Sequence, residues 1–405
     1  MRLRNGVAGR ILFPAICMLM LGVPAIAQWH PITTLDAPGA GAIAGYGTEG
    51  IAMNPAGVVT GFYVGYDNVV HSFVWTPDPR FTPSDKSREP AIGSPVRSGG
   101  HDGTFVTFDG PNVPSSIPDD PFSPPGTWLN TDAPGTYATA IDGMGAVTGY
   151  YVDANYLAHG FVRAPDGAFT SFEVPNAGTG NGQGTFSTNM NLQGMIAGYY
   201  VDAAYGSHAF VLTLDGHITE FDAPGGVGST SLGWAQCISN KGAVTGTYAD
   251  SNGVTYGFVR DPQGNITTFE VKAKGLTSGQ GTNGWGINSA GTVVGVFVDV
   301  NNIDHGLVRT ADGKITVFDV PLAVGNTVAE SIDEGGNVVG FYNDANGVHH
   351  GFLRSPGGEF TYFDVLGEGS EFHQGTVPML INWWGGAITG FYEDSNYVWH
   401  GFVRK

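Results

Sequence analysis

The feature that most constrains the fold is a Gly-x-Tyr/Phe phrase that occurs seven times along the 405 residues. The copies lie 88, 49, 48, 49, 45 and 50 residues apart, and they begin at Gly61, Gly149, Gly198, Gly246, Gly295, Gly340 and Gly390. Self-similarity at a spacing of 40 to 50 residues is typical of repeat proteins in which each repeat forms one small β-unit. The sequence therefore predicts a repeat architecture.

Two further phrases accompany each copy. A phrase resembling His-Gly-Phe-Val-Arg follows about ten residues later, and a phrase ending in Phe or Leu and an acid, such as Thr316-Val-Phe-Asp319, completes the repeat. A Thr-initiated run precedes the Gly-x-Tyr/Phe phrase, and turn residues such as Asp344-Ala-Asn-Gly347 separate the runs. Four short strands per repeat predict an all-β fold, a seven-bladed β-propeller with four antiparallel strands in each blade.

The ends of the chain predict how such a ring closes. Residues 32–36 resemble a lone fourth strand, and residues 400–404 resemble a third strand with no successor. The N-terminal strand can therefore complete the last blade and cover its edge. An open β-solenoid and a pair of β-sandwiches are the alternatives. The composition agrees with β-structure, because 64 Gly and only 13% charged residues disfavour long helices.

The chain resembles the HAF-repeat family of exported bacterial proteins, named for a His-Ala-Phe phrase. The phrase stands here as His208-Ala209-Phe210, and three other repeats have His-Gly-Phe while a fourth has His305-Gly-Leu307. The resemblance covers nearly all of residues 30–404 and implies an extracytoplasmic repeat protein. It implies no particular activity.

Residues 1–27 are predicted to be a signal peptide. Arg2, Arg4 and Arg10 precede a short apolar run that ends in Ala25-Ile26-Ala27. No second apolar run is long enough to cross a bilayer, so the protein is expected to be secreted or periplasmic without a transmembrane segment. Residues 28–405 are predicted to form a single domain that carries two insertions, 76–103 and 110–135.

The net charge limits the classes of partner. Removal of the three leader arginines would change the net charge from −19 to −22, which disfavours nucleic acid. A neutral glycan or an extracellular protein remains a suitable partner, and we expect a monomer. After cleavage, Cys237 is the one remaining cysteine, so no internal disulfide is expected.

A repeated group of one histidine and two acids is expected at one rim of the propeller. The acids end the second and fourth strands, and the histidine begins the third strand, so side-chain hydrogen bonds between strand ends are the first interpretation. A ring of Ca²⁺ sites is the alternative. The predicted groups are Asp153, His159 and Glu173; Asp202, His208 and Asp222; Asp299, His305 and Asp319; and Asp344, His350 and Asp364.

The first strand of each blade should line the central channel, and it varies between repeats. Aromatic residues there could stack on sugar rings beside polar partners, whereas packing between blades is the competing interpretation. The ligand-binding candidates at the channel mouth are Glu49, Tyr137, Phe186, Trp234, Gln236, Trp285 and Glu330.

These patterns predict a secreted, non-enzymatic propeller that binds a glycan or a protein. Catalytic motifs such as H-E-x-x-H, G-x-S-x-G and C-x-x-C are absent from the sequence, and no catalytic residue, metal site or cofactor is assigned. A propeller-fold glycoside hydrolase or polysaccharide lyase, with Glu49 and Glu330 as paired acids, is one alternative. A structural cell-surface repeat protein is the other.

Overall fold

A computed structural model describes residues 32–78, 103–117, 133–226, 228–233 and 236–405. The expected all-β class is confirmed, because 28 strands and no α-helix occur in these ranges. Accordingly, no helix in the described ranges is long and apolar enough to span a membrane. The predicted signal peptide, most of both insertions and Trp234 lie outside the described residues.

The strands form sets of four consecutive antiparallel neighbours, in the order that the repeat predicts. The first three sets run from β2 to β13: β2 (Gly47–Met53), β3 (Val59–Val64), β4 (Val70–Pro77) and β5 (Gly103–Phe108); β6 (Gly135–Ile141), β7 (Val147–Val152), β8 (Ala158–Arg163) and β9 (Phe169–Phe172); β10 (Gly184–Met190), β11 (Ile196–Val201), β12 (Ser207–Leu212) and β13 (Ile218–Phe221).

The next three sets run from β14 to β25: β14 (Thr230–Ser231), β15 (Val244–Ala249), β16 (Thr255–Arg260) and β17 (Ile266–Phe269); β18 (Gly281–Ile287), β19 (Val293–Val298), β20 (Asp304–Arg309) and β21 (Ile315–Phe318); β22 (Thr327–Ile332), β23 (Val338–Asn343), β24 (His349–Arg354) and β25 (Phe360–Phe363). The last set joins both ends of the described chain: β26 (Gly375–Ile381), β27 (Ile388–Glu393), β28 (Trp399–Arg404) and β1 (Ile32–Leu35).

The pairing of β1 with β28 is antiparallel, with Ile32 opposite Arg404 and Leu35 opposite Gly401. Hydrogen bonding nevertheless divides the described strands between a 20-stranded and an 8-stranded sheet, so they do not form one closed sheet. Neighbouring sets touch through single parallel bridges, such as Gly47 with Trp399. The first strands of neighbouring sets also contact one another.

A repeated threonine and a repeated arginine make contacts between one set and the next. The threonine near the start of every first strand accepts a hydrogen bond from the chain that leaves the preceding fourth strand, as in Thr48 with the Ala37 amide at 2.9 Å. The arginine that ends the third strand lies over a phenylalanine of the preceding set, as in Arg260 over Phe221 at 4.9 Å. Four more sets repeat this cation–π contact. The repeats therefore encode contacts between sets as well as strands.

The first strands carry a β-bulge that explains the glycine of the Gly-x-Tyr/Phe phrase. In β2 the register shifts between Gly50 and Ala52, so Ile51 is left out of the ladder. A Cβ atom added to Gly61 would lie 1.9 Å from the Glu49 carbonyl oxygen, which is a collision. The bulge brings the two backbones too close for any side chain, and it turns the bulged residue away from its ladder position.

Candidate functional site

The predicted histidine and acids lie together at one end of each set. In the third set, His208 Nδ1 lies 2.9 Å from Asp222 and Nε2 lies 3.4 Å from Asp202. The imidazole ring also stacks on Tyr200, with 5.0 Å between the ring centroids. The histidine thus joins the end of β11 to the end of β13.

A histidine between two acids recurs in five other sets, although in the first set Gly65 follows the second strand and the acid Asp67 comes from within the turn. The five groups are Asp153, His159 and Glu173; Asp299, His305 and Asp319; Asp344, His350 and Asp364; Asp67, His71 and Asp109; and Asp394, His400 and Asp36.

The aspartate of each group also holds the turn between the second and third strands. Asp202 Oδ1 accepts hydrogen bonds from the amides of Gly206 and Ala204, both at 2.8 Å, and these bonds lower the pKa of Asp202. The hydrogen bond from His159 to Glu173 raises the pKa of His159 above its ordinary value. The first shift favours the charged form of Asp202 and the second favours the charged form of His159, and the contacts of both groups connect strand ends.

One set departs from this arrangement. Tyr256 occupies the histidine position, and its hydroxyl lies 3.5 Å from Asp250. The ring still stacks on the tyrosine of the preceding strand, Tyr248, with centroids 5.3 Å apart. The packing of this rim therefore survives the loss of the imidazole.

Two aromatic candidates for the channel mouth require a correction. Tyr137 is 0% exposed and Phe186 is 5% exposed. Tyr137 stacks on Tyr150 at 4.8 Å, and Phe186 stacks on Tyr199 at 4.8 Å. Across the boundaries between sets, Tyr137 also contacts Phe62 of the first set, with ring centroids 5.5 Å apart. Phe186 likewise contacts Tyr150 of the second set at 5.1 Å. The rings therefore fill the space between sets, as the packing interpretation holds, and they offer no free face to a sugar.

The candidate Gln236 also requires a correction, because its side chain is buried and makes internal hydrogen bonds. Its side chain is 1% exposed, and its Oε1 accepts hydrogen bonds from the Ser331 hydroxyl at 2.7 Å and the Ile332 amide at 3.3 Å. Its Nε2 donates to the Ile381 carbonyl at 3.1 Å. The residue connects the fourth set to the sixth and seventh, so it is a cross-link rather than a binding group.

Glu49, Trp285 and Glu330 remain partly exposed. Loss of hydration raises the pKa of Glu49 to about 8, with a further contribution from the nearby Glu393. Loss of hydration likewise raises the pKa of Glu330 to about 8, with a contribution from Asp304. Each glutamate thus has its own carboxyl neighbour, and neither glutamate is the acid that raises the pKa of the other.

The sequence did not single out Glu393 or Asp304. Glu393 ends β27, where the corresponding residue of most sets is apolar or Ala, and the pKa of Glu393 is raised to about 7 by burial. Asp304 directly precedes His305, and burial raises its pKa as well. The available signal was an acid at a position that holds no acid in any other repeat.

The turns between second and third strands contain a second feature that was not predicted from the sequence. Their fourth residue has a left-handed backbone in every set, and Asn or Gly occupies it in four of them. Tyr156, Tyr205 and Tyr397 occupy it in the others, with φ of 62°, 63° and 61°. Bulky residues rarely adopt this conformation, which costs about 1–2 kcal/mol.

Tyr397, Tyr156 and Tyr205 lie on the seventh, second and third sets. Tyr66 lies on the first set, which adjoins the seventh and the second. Tyr66, Tyr156 and Tyr205 are 68%, 41% and 66% exposed, and Tyr397 is partly exposed. The bridges β28–β2, β4–β6 and β8–β10 connect the four sets that carry them. We call these four residues the tyrosine rim. The sequence does carry a sign of the tyrosine rim. Asp153-Ala-Asn-Tyr156 has an aromatic residue at the turn position where Asp344-Ala-Asn-Gly347 has glycine.

The fold belongs to the class of β-propeller-like all-β proteins. Virginiamycin B lyase from Staphylococcus aureus is similar in structure, with a TM-score of 0.51 and 14% identity over 93% of this chain and 100% of that chain. A streptogramin B lyase gives 0.49 and 14% identity over 92% and 97%. A polysaccharide lyase, the ulvan lyase PL25, gives 0.44 and 12% over 92% and 95%. At these identities the likeness concerns the fold.

No protein-family model matches the chain. No curated protein matches it either.

Proposed function

We propose that this chain is an exported, non-enzymatic β-propeller that binds a neutral glycan through the tyrosine rim. The observation that carries the proposal is the left-handed backbone of Tyr156, Tyr205 and Tyr397. Asn and Gly fit the same turn elsewhere in this chain without that cost. Aromatic residues kept at a local cost, on one end of adjoining sets, indicate a role outside folding.

The chemistry of the rim favours sugars. A tyrosine ring presents an apolar face for the C–H groups of a sugar and a hydroxyl for its polar edge. The surrounding aspartates and the net charge of −19 oppose a polyanion.

The proposal includes the finer architecture. Seven sets of four strands, with β1 as the fourth strand beside β28, support a seven-bladed propeller in which the N-terminal strand completes the last blade. The contacts of Gln236 with Ser331 and Ile381, from the fourth set to the sixth and seventh, support a ring around a narrow interior. The predicted leader supports export, and the repeat phrases support membership of the HAF-repeat family.

A glycan array tests the function. The mature wild type should bind a neutral glycan, and the triple variant Tyr156→Asn, Tyr205→Asn, Tyr397→Asn should lose that signal. Met144→Asn is the matched control, because Met144 is 86% exposed in a turn between first and second strands, at the other end of its set. Absence of glycan binding by the wild type would favour a protein partner or a structural role. Equal binding by the triple variant would exclude the tyrosine rim.

A second candidate, a glycan-cleaving enzyme, is favoured by Glu49 and Glu393. The two carboxyl groups are neighbours whose pKa values are both raised, chiefly by burial, and such a pair is suited to general acid–base work. Incubation of glycans from the array with wild type and with Glu49→Gln distinguishes glycan cleavage from glycan binding. Chain cleavage by the wild type that Glu49→Gln abolishes would replace binding as the function.

A further inference from the structure

The rim of the sixth set differs from the others by one additional carboxylate. His350 Nδ1 lies 3.1 Å from Asp364, as in the other histidine groups. Glu368, on the loop that leads to β26, also lies here, and ligand atoms of all three residues lie within 4.8 Å of one another. Among the described residues, this is the one group of three or more such side chains with that geometry.

Glu368 has no counterpart elsewhere in the repeat. Its amide donates to the Val365 carbonyl, and the equivalent turn of the fifth set has Ala323 donating to Val320. The corresponding residues of the other sets are Ala40, Val113, Ala177, Gly226 and Lys274. Six sets therefore share a histidine between two acids, and one of them places a third acid beside the histidine and its fourth-strand acid.

We propose that His350, Asp364 and Glu368 bind one divalent first-row transition-metal ion, for which Zn²⁺ is the suitable probe. One imidazole nitrogen and two carboxylate oxygens, completed by water, suit a four-coordinate site. Ca²⁺ prefers six to eight oxygen ligands, so the imidazole disfavours it. The metal would replace the proton that His350 Nδ1 and Asp364 share, and it would draw the three groups inward.

The surroundings hold the ligands in position. Asp344 Oδ2 lies 3.9 Å from His350 Nε2, which is an electrostatic contact rather than a hydrogen bond, on the side of the ring opposite Asp364. The amides of Asn346 and Val348 bind Asp344 at 2.8 and 2.9 Å. Thr376 at the start of the seventh set donates its hydroxyl to Glu368. A bound metal would therefore connect the third and fourth strands of the sixth set to the first strand of the seventh.

Calorimetric titration of untagged, EDTA-stripped protein with ZnCl₂ tests the proposal. The wild type should bind one Zn²⁺ per chain and melt at a higher temperature with the metal. Glu368→Gln should weaken binding by at least about tenfold, although it keeps a hydrogen-bond acceptor for Thr376. Asp319→Asn is the matched control, because it alters the same histidine–acid pair in the fifth set, where Ala323 stands in place of glutamate.

A gain of function completes the experiment. Ala323→Glu should create a second site of similar affinity beside His305 and Asp319. Absence of Zn²⁺ binding by the wild type would overturn the proposal. A stoichiometry near six, or equal weakening by Glu368→Gln and Asp319→Asn, would also overturn it, because either result would mean adventitious binding to histidine–acid pairs. Melting of each variant in EDTA identifies any loss that is due to misfolding.

Discussion

Replacing Glu49 with glutamine should make the protein clearly more stable at alkaline pH and only slightly more stable at pH 5. The pKa of Glu49 is raised from 4.5 to about 8, so the folded protein holds a proton that the unfolded chain releases. For an acid with a raised pKa, stability is highest below 4.5 and falls as the pH rises toward 8. Glutamine mimics the protonated acid and removes this loss.

The size of the effect follows from the same values. The difference between 4.5 and about 8 sets a ceiling of about 5 kcal/mol at pH 9. Glu49 is partly exposed and shares its surroundings with Glu393, so water and relaxation of the pair reduce the expected gain to about 2 kcal/mol. That gain should raise the melting temperature by about 2–4 °C.

Urea unfolding of wild type and Glu49→Gln at pH 5, 7 and 9 measures the effect. The exposed Glu371→Gln is the matched control and should change stability at none of these pH values. The reasoning would be refuted if Glu49→Gln were no more stable than wild type at pH 9. It would also be refuted if the two glutamine variants gained equally, since that would reflect overall charge.

Three further predictions concern contacts that hold the sets together. Gln236→Ala should lower the free energy of unfolding by about 3 kcal/mol, because the buried Ser331 hydroxyl and Ile332 amide lose their acceptor; a loss under about 0.5 kcal/mol in urea unfolding would show that the cross-link is unimportant. Arg260→Met keeps the side-chain length but removes the charge over Phe221, and should cost about 0.5–2 kcal/mol in the same assay, with a neutral result excluding the cation–π contact. His159→Gln should cost about 0.5–1 kcal/mol at pH 5.5. The pKa of His159 is raised from 6.5, so its bond to Glu173 stabilises fully below 6.5 and less as the pH rises through the folded value; a cost that is constant up to pH 9 would contradict the ion pair.

Much of the fold could be predicted from the repeated phrases. The three phrases and the Thr-initiated run each correspond to one strand, and the lone run at 32–36 pairs with β28 as its fourth-strand phrase suggests. The histidine groups were also predictable, because strand ends that recur at fixed offsets must meet at one end of each set. Periodicity predicts such contacts because every repeat places the same residue types at the same strand ends.

The channel-mouth candidates were less predictable, since they depend on exact side-chain direction. A bulge in six of the seven first strands changes which residues face inward, and the sequence contains no direct sign of a bulge. Tyr137 and Phe186 therefore pack between sets, and Gln236 crosses the interior to Ser331. The acid neighbours of Glu49 and Glu330 come from other sets, so only three-dimensional contacts identify them. The tyrosine rim was visible only by comparing the same turn in all seven sets.

The central claim is that the tyrosine rim is kept for binding at a cost to stability. Paired measurements on the Tyr156→Asn, Tyr205→Asn, Tyr397→Asn variant test it most directly: its melting temperature, and its calorimetric affinity for a glycan that wild type binds. Asparagine suits the left-handed backbone, so the account predicts a higher melting temperature together with affinity at least about tenfold lower. A variant that melts lower, or one that binds the glycan as tightly as wild type, would contradict it.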